Sequence, residues 1–132
     1  MTTRIIVIIA DLAGLGALLL GLIIWIANMG LTDIHMLFGL LVTLGLLVMS
    51  IIALTARGMR LWGIVGIVYA IIVPIFGESQ STMLVGNLHW LIQTLHLLVG
   101  IGAIVLTGLI GAHYRTLKRG EASPVAESQA LR

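Results

Sequence analysis

Four stretches of this chain are nearly free of charge, and each is long enough to cross a lipid bilayer: 5–27, 34–56, 61–77 and 90–114. A spanning helix needs about 20 mostly apolar residues, and in hydrocarbon only a helix or a closed barrel satisfies its own backbone. The connections 28–33 and 55–60 are short, which makes successive helices antiparallel neighbours. The expected fold is an all-α integral membrane protein, a four-transmembrane-helix antiparallel bundle. It forms one domain over 1–119, followed by a flexible cytoplasmic tail over 120–132 that contains Ser123-Pro124 and no apolar run.

Composition supports this. Sixty per cent of residues are hydrophobic and 9% charged, against about 25% charged in soluble domains. The pI near 9.7 does not point to nucleic acid, because the basic residues flank the apolar runs. With no cysteine, disulfides and thiolate chemistry are excluded. Arg4 ahead of an apolar run resembles a signal sequence, but the run is long and lacks a small-x-small cleavage site, so it reads as a retained span. Pro74 predicts a kink or stop in the third span. The segment 78–82 reads as a polar loop, and 83–94 as an interfacial turn of helix leading into the fourth span.

Arg4, Arg57, Arg60, Arg115, Lys118, Arg119 and Arg132 all fall on one side of the four spans, whereas the other side carries only Asp33 and Glu78. The positive-inside rule then places both termini in the cytoplasm, with a bacterial inner membrane as the expected location. Trp25 and Trp90 sit at the outer boundary, Trp62 and Tyr114 at the inner one, as an aromatic belt requires. Ala13, Ala17 and Gly21 recur every four residues, and Gly39, Gly45, Gly100, Gly108 and Gly111 offer small faces for helix packing.

A His-x-x-x-Gly pattern opens the second and fourth spans. A shift of 61 residues lays His35 on His96, Leu37 on Leu98, Gly39 on Gly100, Thr55 on Thr116 and Arg57 on Lys118. No counterpart is visible between spans one and three. The shift describes two repeated parallel hairpins related by an axis along the membrane normal, with both histidines at one depth in the outer leaflet. Bundle cores hold cofactors by side chains from facing helices, and a ligating group inside a span is a functional hypothesis by default. His35 and His96 are thus the candidate axial ligands of one haem, with Gly39 and Gly100 leaving room for the macrocycle. His89 lies seven residues before His96, on nearly the same face, and is the alternative ligand. His113 and Asp11 lie towards the cytoplasmic side. His113 reads as an interfacial residue or, with Asp11, as a proton- or quinone-related group. Asp11 reads either as a packing or ion-pair partner of Arg57, Arg60 or His113, or as a proton- or quinone-related group.

This arrangement resembles the small four-helix membrane b-type cytochromes, in which two histidines from bundle helices clamp a haem b. The resemblance rests on spans two and four. It implies axial ligation by His35 and His96, electron exchange with quinone or other membrane protein subunits, and no catalytic site of the chain's own. One departure is plain: haem propionates commonly meet Arg or Lys, and here water, Asn87, Gln80, Gln93, Trp90 or an adjacent subunit must serve instead. Three functional readings follow: a haem b electron-transfer subunit of a respiratory or photosynthetic complex, a structural accessory subunit without cofactor, or a chlorophyll-type pigment carrier using single histidines.

Overall fold

The computed structural model describes residues 2–130, with side chains described over 2–120. It is all-helical: α1 (Thr2–Ala27), α2 (Thr32–Thr55), α3 (Arg60–Ser79), a 3₁₀ turn (Gln80–Thr82) and α4 (His89–Ala130). Four helices are long and apolar enough to cross a membrane. Most of the tail expected over 120–132 lies outside the residues whose side chains are described, although the α4 backbone continues to Ala130.

Packing runs around the square α1–α2–α3–α4 and also across it. α2 touches α4, whereas among the described residues α1 and α3 do not meet. The two histidine-bearing helices therefore form the short diagonal. Close approaches fix the directions. Gly21 lies against His35 and Gly45 against Ala10, so α1 and α2 are antiparallel; Gly14 lies against Ile104 and Gly111 against Val7, so α1 and α4 are too. His35 and His96 are adjacent at one end, and Met49 lies close to Gly111 near the other, which makes α2 and α4 parallel.

The two ends differ sharply in packing. Val7, Ala10, Ala13, Leu46, Met49, Ala53, Met59, Ala70, Ala103 and Ile110 form the buried core, and all lie towards the end bearing Arg4, Arg57, Arg60 and Arg115. No residue of 15–41 or 71–102 is fully buried. Helices in an apolar medium have little hydrophobic drive to associate, so close contact depends on small residues. At the arginine end Gly45 meets Ala10, and Gly63 and Gly66 meet Ser50, while Ser50 donates to Leu46 O at 2.6 Å and leaves no unpaired hydroxyl. Gly39, Gly100 and Gly108 behave otherwise, with nothing within 4 Å of the place a Cβ would take. Outward faces carry large apolar side chains such as Leu12 and Leu61, as lipid contact requires.

Two expectations need correction. Pro74 does not stop α3, which continues to Ser79. Proline removes one donor, leaving Ala70 O without its usual intrahelical partner, but the N–H groups after it carry the helix on. The expected polar loop 78–82 is helical as well. Ser79 donates to Phe76 O at 3.3 Å and Thr82 to Ser79 O at 2.8 Å, so these hydroxyls satisfy carbonyls that a helix end leaves open. The true break is 83–88, where Leu84 (φ 47°) and Gly86 (φ 104°) take left-handed backbone. Of the expected interfacial turn over 83–94, only the part from His89 onward is helical.

Because a Cβ at Gly66 would overlap Ser50 Oγ, Gly66→Val should separate α2 from α3. Overpacking of this kind costs about 1–3 kcal/mol, and thermal unfolding in detergent should show a lowered Tm with unchanged helical content.

Candidate functional site

The open end of the bundle encloses a cavity of about 750 Å³, lined by all four helices. Its size lies within the range of about 300–1,000 Å³ common for small-molecule and cofactor sites. Five of the residues singled out in the sequence line it together: His35, His89, His96, Gly39 and Gly100. Asp11 and His113 do not.

Across the short diagonal the His35 and His96 rings face each other, 5.9 Å between centroids with planes at 59°. No hydrogen bond joins them. Each ring is flanked by a glycine of the preceding helix. A Cβ on Gly21 would lie 3.2 Å from His35 Cε1, and one on Gly77 would lie 3.3 Å from His96 Cε1. Phe76 adds an aromatic neighbour to His96 at 6.0 Å. His35 Nδ1 pairs with Ala17 O of α1 at 2.9 Å. A carbonyl accepts only, so Nδ1 carries the proton and Nε2 presents a lone pair, the arrangement that orients a ligating imidazole. His96 Nδ1 is buried without a partner.

Two imidazoles so placed can take one metal ion between them. Metal–imidazole bonds of about 2 Å on each side, with roughly 1 Å from nitrogen to ring centre, put the centroids about 6 Å apart. A twist of two imidazole planes about a shared nitrogen–metal–nitrogen axis leaves each metal–nitrogen bond in its own ring plane. Among the described residues no group of three or more His, Cys, Asp or Glu could hold a metal ion, so a site here rests on these two imidazoles.

Space beside the rings is the second element. Gly39 and Gly100 sit one turn below the histidines, line the cavity and have ordinary helical backbone. With nothing within 4 Å of a Cβ, neither glycine is required by the packing of the chain itself. The rim is acidic: Asp33 and Glu78 line it, and no Lys or Arg does. Of the neutral donors expected from the sequence, Gln80 and Gln93 line the cavity, with Thr32, Ser81 and Trp25, whereas Asn87 and Trp90 do not.

The remaining candidates fall elsewhere. His89 is on the cavity wall with Nδ1 bonded to Met83 O at 3.1 Å, and no ring contact joins it to either other histidine. His113 lies exposed beside Trp62, 6.0 Å between rings. Asp11 is exposed on α1 and makes no ion pair with Arg57, Arg60 or His113 among the described residues.

Sequence reading placed Gly21 in a packing stripe without linking it to His35, and missed Gly77 and the part played by the Ala17 carbonyl. A shift of 61 residues hid the match between the two glycines, because Gly21 and Gly77 are only 56 apart. The chain from Gly77 to His96 is five residues longer than that from Gly21 to His35. Allowing for that longer connection, α1 and α3 do carry matching glycines, each set against the histidine of the next helix.

Gly39→Leu and Gly100→Leu should fold normally, since the added side chains enter open space, and each should lower the uptake of any cofactor by filling the cavity. Circular dichroism and size-exclusion chromatography in detergent check the first statement, and cofactor content checks the second. No protein family, no curated protein and no solved structure matches this chain.

Proposed function

We propose that this protein is an integral membrane haem b subunit that carries electrons, with His35 and His96 as the two axial ligands. The observation that carries the reading is the facing imidazole pair, 5.9 Å between centroids, in a cavity with open helical surface at Gly39 and Gly100. When bound, haem supplies reversible one-electron chemistry, tuned by its ligands, its burial and nearby charge.

The chain's own residues hold and shape that chemistry. His35 offers Nε2 because Ala17 O fixes its tautomer. Gly39 and Gly100 leave room for the flat ring beside the ligands. Gln80, Ser81 and Thr32 at the rim supply neutral donors for propionates in place of cations. The apolar core beneath closes the cavity from the arginine end and excludes water. Held by both imidazoles, a bound haem would supply electron transfer between partners, with quinone or another membrane subunit as donor or acceptor.

Four apolar helices and the one-sided distribution of Lys and Arg support membrane integration with both termini in the cytoplasm of a bacterial inner membrane. The chlorophyll-type reading, one histidine per pigment, gives no role to the approach of the two rings. The accessory-subunit reading gives none to the cavity.

The test is a reduced-minus-oxidised spectrum of protein purified in detergent after expression with haem supply. One b-type haem per chain is expected, and His35→Ala should remove at least most of it; a wild-type chain without b-type bands would leave the accessory-subunit reading standing. Acetone extraction separates chlorophyll-type pigment from haem. The acidic rim has its own consequence. Asp33→Asn and Glu78→Gln each remove a negative charge that favours the oxidised, more positive centre. Each should raise the midpoint potential, on the order of tens of mV at low salt for a rim charge at an effective dielectric of ~20, which potentiometric titration measures. Since the chain lacks cysteine, single cysteines at Gly30 and Gly58 report orientation. A membrane-impermeant maleimide added to spheroplasts should label position 30 and spare position 58.

A further inference from the structure

The two imidazoles are matched in their steric surroundings and unmatched in their anchoring. Gly21 and Gly77 stand at nearly equal distance from the two rings. His35 Nδ1 is bonded at 2.9 Å to Ala17 O, four residues before Gly21. The position four residues before Gly77 is Val73, whose carbonyl belongs to the peptide bond preceding Pro74, and His96 Nδ1 is buried with no partner there or elsewhere. Of the four side-by-side helix pairs, α3 and α4 are also the least extensively packed. Pro74 leaves Ala70 O without its helical donor one turn below the site. A hydrogen-bond anchor for the imidazole is present on the α1–α2 side and missing on the α3–α4 side, where His96 has only the ring contact with Phe76 and the close approach of Gly77.

Resting on the haem reading above, we infer that His35 is the fixed ligand and His96 the exchangeable one, so that the cavity admits a small neutral ligand, imidazole or carbon monoxide, in place of His96. A hydrogen-bond acceptor behind a ligating histidine raises its basicity and fixes its orientation, and losing such a partner typically costs about 10–100-fold in metal affinity. The protein therefore has a strong ligand on α2 and a weak one on α4. The weak side opens into the cavity beside Gly100, where an incoming ligand of a few atoms meets no side chain at the glycine position. The site is then a binding site for small uncharged donors as well as an electron carrier.

The experiment compares haem affinity and ligand binding in wild type, His35→Ala and His96→Ala, each checked for helicity and monodispersity in detergent. His96→Ala should retain haem about 10–100-fold more tightly than His35→Ala, show a five-coordinate spectrum and regain the wild-type spectrum on addition of imidazole. Gly21→Ala and Gly77→Ala provide a second pair that keeps both histidines. A methyl at 21 pushes on a ring that cannot yield without losing its bond to Ala17 O, so haem content should fall. A methyl at 77 pushes on an unanchored ring, so haem should stay while carbon monoxide binding to the reduced protein increases. Equal or reversed behaviour within both pairs, with a normal wild-type spectrum, overturns this inference alone. A wild-type chain with no b-type spectrum overturns the haem reading and the inference together. If His35→Ala does not fold, the glycine pair decides.

Discussion

Helices surrounded by hydrocarbon gain little from burying apolar surface against one another, because lipid tails are equally apolar. Where they meet is therefore set by how closely their backbones can approach. In this chain that constraint is satisfied at one end only. Ala10, Gly45, Gly63, Gly66 and Gly111 let all four helices close around Leu46, Met49 and Ile110, and Ser50 and Thr107 return their hydroxyls to carbonyls of their own helices. The arginine end is a clamp. The histidine end, held by the same four helices, is free to stand open.

From that asymmetry the site follows. The clamp brings α2 and α4 together along the short diagonal, so their parallel course delivers His35 and His96 to the same level. The glycines further along then have two different consequences. Gly21 and Gly77 admit the rings of the next helix, while Gly39 and Gly100 admit nothing from the chain and remain as space. A bundle packed equally tightly along its length would have filled that space with side chains. One open throughout would not have held two imidazoles 5.9 Å apart.

The acidic rim and the uneven anchoring of the two rings are features that a symmetric duplicated hairpin would not have. The longer connection from α3 to α4 carries a 3₁₀ turn and left-handed backbone at Leu84 and Gly86, whereas the shorter α1–α2 connection has left-handed backbone at Asn28 alone. Pro74 stands in α3 where α1 has Leu18 at the matching place before its glycine. Both differences fall on the α3–α4 side of the cavity, the side on which His96 Nδ1 has no hydrogen-bond partner.

By itself the sequence determined four helices of spanning length and the segregation of cationic residues to one end, and its 61-residue shift offered His96 as the partner of His35, with His89 left as the alternative. These follow from local properties: hydropathy over about 20 residues, charge at helix ends, and helical periodicity. The helical course of 78–82 was not legible, because its serine and threonine hydroxyls, which bond to carbonyls one turn back at Phe76 and Ser79, read as a loop from composition alone. Nor was the isolation of Asp11 from Arg57, Arg60 and His113, since rotation about the α1 axis sets which way it faces. Only the tertiary structure decided that α2 and α4 form the short diagonal, that one end closes while the other holds a cavity, and that Ala17 O anchors one imidazole while its counterpart goes unanchored. Each of these depends on which faces of helices distant in sequence come within a few ångströms of each other, a property that no single helix carries.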